Sequence, residues 1–478
     1  GRPAARRPPP TMAGAVVGFI DMDCFYVAVE RRRDPRLEGL PCAVVQYNSR
    51  QRGGAPDRPP EACRWVQGSS GGIIAVSYEA RRRGVTRQMS SQEARRQCPE
   101  IVLVQVPTAF GKADLRIYKE AGDSVASLLA RRAAACEKRS VDEVAVDLTA
   151  EAERLLAERD WASELLPAAR RASHLADSAR SRSAAAVSRD ETRRGHAGQG
   201  EAAAAAGEDG GWQRAWSGAD RRLIAGAVVV AELRAAIERE LGFTCSGGVA
   251  ESKLLAKLGC GLHKPNQQTV VLPEAVAALL RDLPLDRLPG LGGELGSQVK
   301  EKLQVSTASE LAAAPRAALE AAFPRQAAHL LELAEGRHFD PVQDRELCKS
   351  LSNGKTFLGQ LRLNTARDCE RWFGELAGEL HRRYRADVAR HGRAPTRISV
   401  AVAAGALGAG GGGSRQMPLD LGPSAGAQQI AAGACACFRR WLASSGQADG
   451  SLGVTSLGLS LSGMQPVAAS APITRFFG

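Results

Sequence analysis

One stretch, Val16 to Glu30 (VVGFIDMDCFYVAVE), constrains the fold more than any other. Val16 to Ile20 run without a polar break, as a strand buried on both faces does, and the run stops at Asp21-Met22-Asp23. From Cys24 the period changes, and Phe25 and Val29 fit the apolar face of a helix that carries on into Arg31-Arg32-Arg33. Strand, acidic turn and helix together aim charge into a cleft, although an Asp at such a turn is also what a helix cap looks like. A second acidic element lies roughly 120 residues further on, at Ser140 to Leu148. There Val144, Val146 and Leu148 alternate with Ala145 and Asp147 as in a half-buried strand, opened by the adjacent acids Asp142 and Glu143. Adjacent carboxylates repel, and a protein that gathers them beside a third usually offsets the repulsion with a divalent cation; an all-oxygen set suits magnesium.

The charge balance points to a polyanionic partner. Lys and Arg total 64 against 52 Asp and Glu, a net charge of +12, which suits a polyanion such as nucleic acid, a generally basic soluble surface being the alternative. The 478 residues are enough for two to four units with ample core. The 11 cysteines are scattered without zinc-type spacing, and Cys435-x-Cys437 has no matching cluster, so they read as free thiols in a reducing compartment. No run of eighteen apolar residues exists to span a membrane. Residues 1–13, Arg- and Pro-rich without acids at their start, read as a disordered arm, with part of an organelle transit peptide as an alternative.

Along the chain, Cys42 to Gln46 and Ile73 to Val76 read as strands separated by a Gly-, Pro- and charge-rich exposed loop, Ser49 to Ser70. Ser90 to Glu93 is a capping box for a short helix, and Ile101 to Val106 a returning strand. Spacing predicts one long amphipathic helix within Phe110 to Cys136. Trp161 to Arg222 has little apolar periodicity and reads as a partly ordered, low-complexity insertion, after which Ala227 to Leu241 forms a helix and Thr244 to Val249 a strand. Leu283 to Leu303 reads as a Gly-Gly turn between helices, either an ordinary helical hairpin or a backbone clamp for phosphates. Strands are expected at Arg397 to Ala403 and Val454 to Leu461, helices at Cys369 to Arg385 and Ala427 to Leu442, and a Gly-rich hairpin at Gly405 to Ser414.

The acidic pair of motifs, IDMDCFY and SVDE, resembles the catalytic motifs of the Y-family, translesion DNA polymerases. CAVVQY (Cys42 to Tyr47), GGIIAVSYEAR (Gly71 to Arg81), GVTR (Gly84 to Arg87), GAVVVAELRAAIERELG (Gly226 to Gly242) and LLAKLGCGLHKPN (Leu254 to Asn266) follow in family order and look most like the eta type. The resemblance implies a multidomain α/β and α+β right hand: a palm of mixed sheet plus helices, small fingers, a helical thumb and a little finger. It gives palm at 14–25 and 113–271 (insertion 161–222), fingers at 26–112 (loop 49–70), thumb at 272–340, little finger at 345–465 and a tail at 466–478.

It also implies template-directed primer extension from deoxynucleotides by two-metal nucleotidyl transfer, specialised for pyrimidine dimers, in the nucleus. Alternatives are a kappa- or iota-like member, a nucleotidyl cyclase, or a DNA-binding scaffold without catalysis. By resemblance Asp21, Asp142, Glu143 and the Met22 carbonyl hold two Mg2+ ions, with Mn2+ able to substitute. Tyr78, Arg81 and Lys264 clamp the triphosphate with the N–H groups of Cys24, Phe25 and Tyr26, while Tyr26 is a steric gate beneath the sugar and Lys257 a helper. Gln46, Tyr47, Ile74, Arg87 and Gln88 line the nascent base pair. Asp23 is expected to cap the helix and Asp147 to face solvent. Primer-template DNA and dNTP are the implied partners of a monomer without membrane contact. Ile473, Phe476 and Phe477 resemble a peptide for the sliding clamp or another translesion polymerase; a tail without a partner is the alternative.

Overall fold

The apolar opening run becomes Val17–Met22, a central strand with antiparallel neighbours on both sides, Cys245–Ala250 and Glu143–Asp147. The computed structural model describes residues 14–48, 54–62, 64–67, 71–176, 211–344, 347–357, 359–404, 411–419, 421–422 and 425–467. Six strands form this sheet in the order His174–Leu175, Gln268–Val270, Cys245–Ala250, Val17–Met22, Glu143–Asp147, Ala135–Lys138. The first three run parallel to each other and the remaining pairings are antiparallel.

Two glycines explain how this sheet is covered. A methyl on Gly247 would meet Val230 of the helix Gly218–Leu241, and one on Gly248 would overlap the Ala256 carbonyl of the helix Lys253–Leu262. Successive strand residues point to opposite faces, so the two helices close on the sheet from both sides. That burial is why a strand such as Val17–Met22 has no polar alternation.

The chain divides into two compact units. One comprises 1–44, 73–102 and 116–345, the other 45–72, 103–115 and 346–478. The stretch 26–112 is thus shared between them. In the first unit the sheet is followed by short helices, Val276–Arg281, Glu294–Leu303, Ala308–Ala313, Arg316–Ala322 and Ala327–Ala334, packed on a core that includes Leu285, Leu311, Leu330 and Leu333. The expected helical hairpin at Leu283 to Leu303 is only half realised: a 3-10 turn, Leu285–Arg287, precedes the glycines, and only Glu294–Leu303 is an α-helix.

In the second unit a four-stranded antiparallel sheet runs in the order Ser350–Thr356, Val454–Pro466, Arg393–Ala404, Gly411–Pro418. The helices Ala366–His391 and Ala427–Ser445 pack on it around Phe373, Leu376, Tyr384, Phe438 and Leu459. These elements overrun their expected bounds, because Thr365 and Gly392 cap the first helix outside the apolar stripe that sequence shows.

Two expectations are corrected, and the order expected in part of 161–222 is located at its flanks. The helix sought in Phe110 to Cys136 spans only Arg116–Leu129, because Phe110 and Gly111 take left-handed backbone in a hairpin, Thr108–Ala109 with Lys112–Ala113, and Ala135–Lys138 is a strand. The loop 49–70 is not all free: Ala55 N–H donates to Gly111 O (3.0 Å) and Arg58 N–H to Thr108 O (2.9 Å). The flanks of the stretch 161–222 are folded. Trp161–Leu165 and Leu166–Ala172 are helical, His174–Leu175 edges the sheet, Trp161, Trp212 and Trp216 cluster, and the long helix starts at Gly218 behind a Ser217–Asp220 capping box. The arm 1–13, the hairpin tip 405–410 and the peptide Ile473, Phe476, Phe477 lie outside the described residues. No helix among the described residues is long and apolar enough to cross a membrane.

Candidate active site

Strand pairing brings the two acidic motifs together. Asp21 is the register partner of Glu143, and Met22 N–H donates to the Asp142 carbonyl at 3.0 Å. Asp21, Asp142 and Glu143 therefore gather at one end of the two central strands, all half-buried. Gly122 makes room for them: a methyl there would overlap the Val141 carbonyl oxygen, so the helix Arg116–Leu129 lies directly against the turn that carries Asp142. A lone Gly inside an apolar helical stripe was the available signal, and sequence reasoning passed over it.

Lysines offset this negative charge. Lys264 Nζ sits 2.6 Å from Asp21 Oδ1, and Lys257 Nζ lies 2.8 Å from both oxygens of Glu143. The Ser140 hydroxyl donates to Asp142. Burial raises the Asp21 carboxyl above the ordinary range, the Lys264 charge pulls it back, and Glu143 and Asp142 push it up again. The donor set is all oxygen, which fits a hard divalent cation; Asp21, Asp142, Glu143 and the Met22 carbonyl are the groups that would hold it.

Asp23 does not cap the helix. Cys24 takes the N-cap position with left-handed backbone (φ 39°) and no side-chain cap, while Asp23 is buried. Its carboxylate accepts from Ser246 Oγ (2.8 Å), Asn266 N–H (2.8 Å) and Tyr78 Oη (3.4 Å). Ser246 and Asn266 are functional supports that sequence reasoning missed; the acceptor is two residues from Asp21 and its donors some 220 to 240 residues away, so no local pattern joins them. Asp147 does not simply face solvent either: it accepts from Thr149 N–H (2.9 Å) and Oγ1 (2.7 Å) at the start of the helix Thr149–Glu158.

Around the acids stand groups suited to a phosphate-rich ligand. In the helix Phe25–Arg33 the intrahelical bonds begin at Val27 and Ala28, whose N–H groups donate to the Cys24 carbonyl (2.8 and 3.1 Å), so the N–H groups of Cys24, Phe25 and Tyr26 have no acceptor within the helix. Arg81 lies over the Tyr78 ring at 4.8 Å and donates Nε–H to the Val76 carbonyl (3.2 Å), leaving the far side of its guanidinium exposed. The Tyr26 ring packs 4.2 Å from Tyr118, whose hydroxyl is bound by buried Glu30. Burial raises the Tyr26 phenol, Asp142 adds to this and Arg87 opposes it, so Tyr26 lies in the field of both. Ile74 is half-buried, and Arg87 and Gln88 are exposed, in the same unit. Gln46 and Tyr47 belong to the second unit, where Gln46 N–H donates to Gly72 O (2.9 Å) and the Tyr47 hydroxyl lies 2.8 Å from Lys355 Nζ.

Residues 20–261 match the impB/mucB/samB family and residues 348–472 that family's C-terminal domain. The chain belongs to the Y family of DNA polymerases. Among Y-family relatives, DNA polymerase eta of Arabidopsis thaliana is 38% identical over 410 residues, 83% of this chain and 54% of that protein. DNA polymerase eta of Drosophila melanogaster is 32% identical, over 79% of this chain and 41% of its own length, and DNA polymerase iota of Mus musculus is 29% identical, over 73% and 40%. The chain thus spans about half or less of these relatives. A solved Y-family chimera, Dbh-Dpo4(243-245)-Dbh, shares the fold with a TM-score of 0.60 at 19% identity, covering 94% of this chain and 99% of that one. Palm, thumb and little finger are therefore the architecture of the two units.

Proposed function

We propose that the chain is a template-directed DNA polymerase of the eta type, extending a primer from deoxynucleotides and reading past pyrimidine dimers. The single observation that carries this is the pairing of Asp21 with Glu143 and of Met22 with Asp142 at one strand end, faced by Lys264, Arg81 and an open helix N-terminus. Acids on one side and phosphate-binding groups on the other are what nucleotidyl transfer requires.

Two Mg2+ ions bound by the acids would make the primer 3'-hydroxyl a better nucleophile and neutralise the departing pyrophosphate. The chain's own groups do the rest. Lys264 and Lys257 hold Asp21 and Glu143 in the free protein, and Lys264 turns to the outer phosphates when the triphosphate enters. Arg81 offers its free edge as a fork, and the N–H groups of Cys24, Phe25 and Tyr26 receive the remaining oxygens. The Tyr26 ring, fixed against Tyr118, bars a ribose 2'-hydroxyl. Arg87, Ile74 and Gln88 are the first unit's contacts to the nascent base pair, and Gln46 and Tyr47 the second unit's own candidates for that role. The eta names of the first two relatives support the eta type, and the dimer specialisation and a nuclear location are proposed with that type.

Primer extension with magnesium and four deoxynucleotides, on an undamaged template and on one with a cis-syn thymine dimer, tests the reading. Extension on both, lost in an Asp142→Ala, Glu143→Ala variant, is expected. Arrest at the dimer would remove the eta-type specialisation and keep the polymerase, with Gln88 the first position to exchange; no extension on either template, with DNA still bound, would overturn the enzyme.

A further inference from the structure

The last helix of the first unit, Ala327–Ala334, carries a second ligand set remote in sequence from the acids. Leu330 and Leu333 are buried and fix the helix on its core, so His329 and Glu332, three residues apart, are neighbours on its exposed face. The chain then reverses. Gly336 takes φ 70°, its N–H donates to Leu333 O (3.2 Å), and Arg337 N–H donates to Glu332 O (2.9 Å). A methyl at Gly336 would press on Val276 and Leu280, so the turn is seated against the core. It returns His338 over the helix, its ring 4.8 Å from that of His329 at 80°.

Ligand atoms of His329, Glu332 and His338 all lie within 4.8 Å of one another. The His338 ring is already oriented: Nε2 lies 3.0 Å from Asp340 Oδ2, and Nδ1 faces Glu332 at 4.0 Å. Nε2–H donating to Asp340 leaves the Nδ1 lone pair directed at the cluster, the arrangement in which a carboxylate steadies a metal-binding imidazole.

We propose that His329, Glu332 and His338 bind one zinc ion, with Asp340 as a positioning residue and the fourth position left to water. Two imidazoles and one carboxylate are zinc donors and a poor match for magnesium or calcium, which take oxygen. Metal–ligand bonds of about 2.0–2.2 Å demand a tighter cluster than this one. Small rotations of the exposed His329 and Glu332 side chains toward His338 supply that. The bound ion would clip the turn onto the helix that precedes it.

The test uses the full chain, stripped with chelator, in millimolar Mg2+ so that the acids at the palm are occupied. Zinc chloride titrated calorimetrically is expected to fill one more site in the wild type than in a His329→Ala, His338→Ala variant, and to raise the melting temperature of the wild type alone. Glu332→Gln should weaken binding at least tenfold. Co2+ in place of zinc should give ligand-field bands without a thiolate charge-transfer band. A single His329→Ala, at an exposed position, guards against misfolding of the double variant. Equal zinc uptake by wild type and His329→Ala, or a thiolate band in the Co2+ spectrum of the extra site, would overturn the proposal.

Discussion

Asp21 and Asp23 lie two residues apart on one strand end, yet the region around Asp21 is open and charged while that around Asp23 is closed and hydrogen-bonded. Asp23 is 2% exposed and accepts from Ser246, Asn266 and Tyr78. Asp21 meets a lysine, and its carboxyl is raised by burial first and then by its neighbours Glu143 and Asp142. A buried acid with neutral donors on its oxygens contributes to the fold, because removing it strands those donors. Gathered acids held chiefly against lysines cost stability through their mutual repulsion, which marks them as serving a ligand. The difference lies in their partners, since the residue type is the same.

The sharpest way to break this comparison is to exchange the two kinds of acid. Asp142→Ala with Glu143→Ala is expected to lower primer extension by about a hundredfold or more, while the melting temperature holds or rises as like-charge repulsion is relieved. Asp23→Ala should do the reverse first: a loss of about 3–5 kcal/mol in urea unfolding, because three donors lose a buried acceptor. An Asp23→Ala protein as stable as wild type and inactive would make Asp23 a ligand, and the contrast would fail.

Glu137 extends the closed class to the neighbouring strand and adds a pH signature. Its carboxylate has no exposed surface; burial works to raise it, but Gln343 N–H (3.1 Å), Lys253 (2.9 Å) and Arg139 (2.6 Å) outweigh that and bring it down to about 2. A carboxyl held below its ordinary 4.5 contributes stability that is present above that pH and lost as pH falls toward about 2. Glu137→Gln should therefore cost about 2–3 kcal/mol at neutral pH and flatten the acid limb of the unfolding curve in that window. Parallel acid limbs in the two proteins would show that other carboxylates govern it.

A smaller change tests how the open region is built. Gly122→Ala drives a methyl into the Val141 carbonyl, and overpacking of that kind costs about 1–3 kcal/mol. Because the displaced turn carries Asp142, activity should fall more than stability does, read as extension rate at a temperature well below the melt. Activity unchanged in a destabilised protein would separate the helix contact from the site.

Much of the open region was legible in sequence, and little of the closed one. Strand, acidic turn and helix announce Asp21; alternation announces Asp142 and Glu143. Both are local patterns. Asp23 sits in the same local pattern, so spacing alone offers the reading of a cap, and only the chain's return through Ser246 and Asn266 decides otherwise. The long helix was cut short for a similar reason: Ser217 and Asp220 form its cap inside a stretch whose composition suggests no structure. The opposite error came at Phe110, where apolar spacing continues smoothly into residues whose backbone turns left-handed. Periodicity reports which face is buried; it does not report where the backbone reverses.

Lys257 gives the finest test, because it sits where the two regions' logic meets: a cation paired with an acid that the proposed function needs free. The pair is partly exposed, with 51% of the Lys257 side chain open to solvent, and such pairs contribute about 0–1 kcal/mol. Lys257 therefore competes with a divalent cation for Glu143 by at most about fivefold. Lys257→Ala should lower the magnesium concentration giving half-maximal extension by up to that factor, with the saturated rate little changed. Lys264→Ala differs in kind, since the proposed function also gives that side chain to the triphosphate: its magnesium dependence would ease while the KM for nucleotide rises. If Lys257→Ala instead raises the nucleotide KM and leaves the magnesium dependence alone, Lys257 belongs with the phosphate-binding groups and Glu143 is not where it acts.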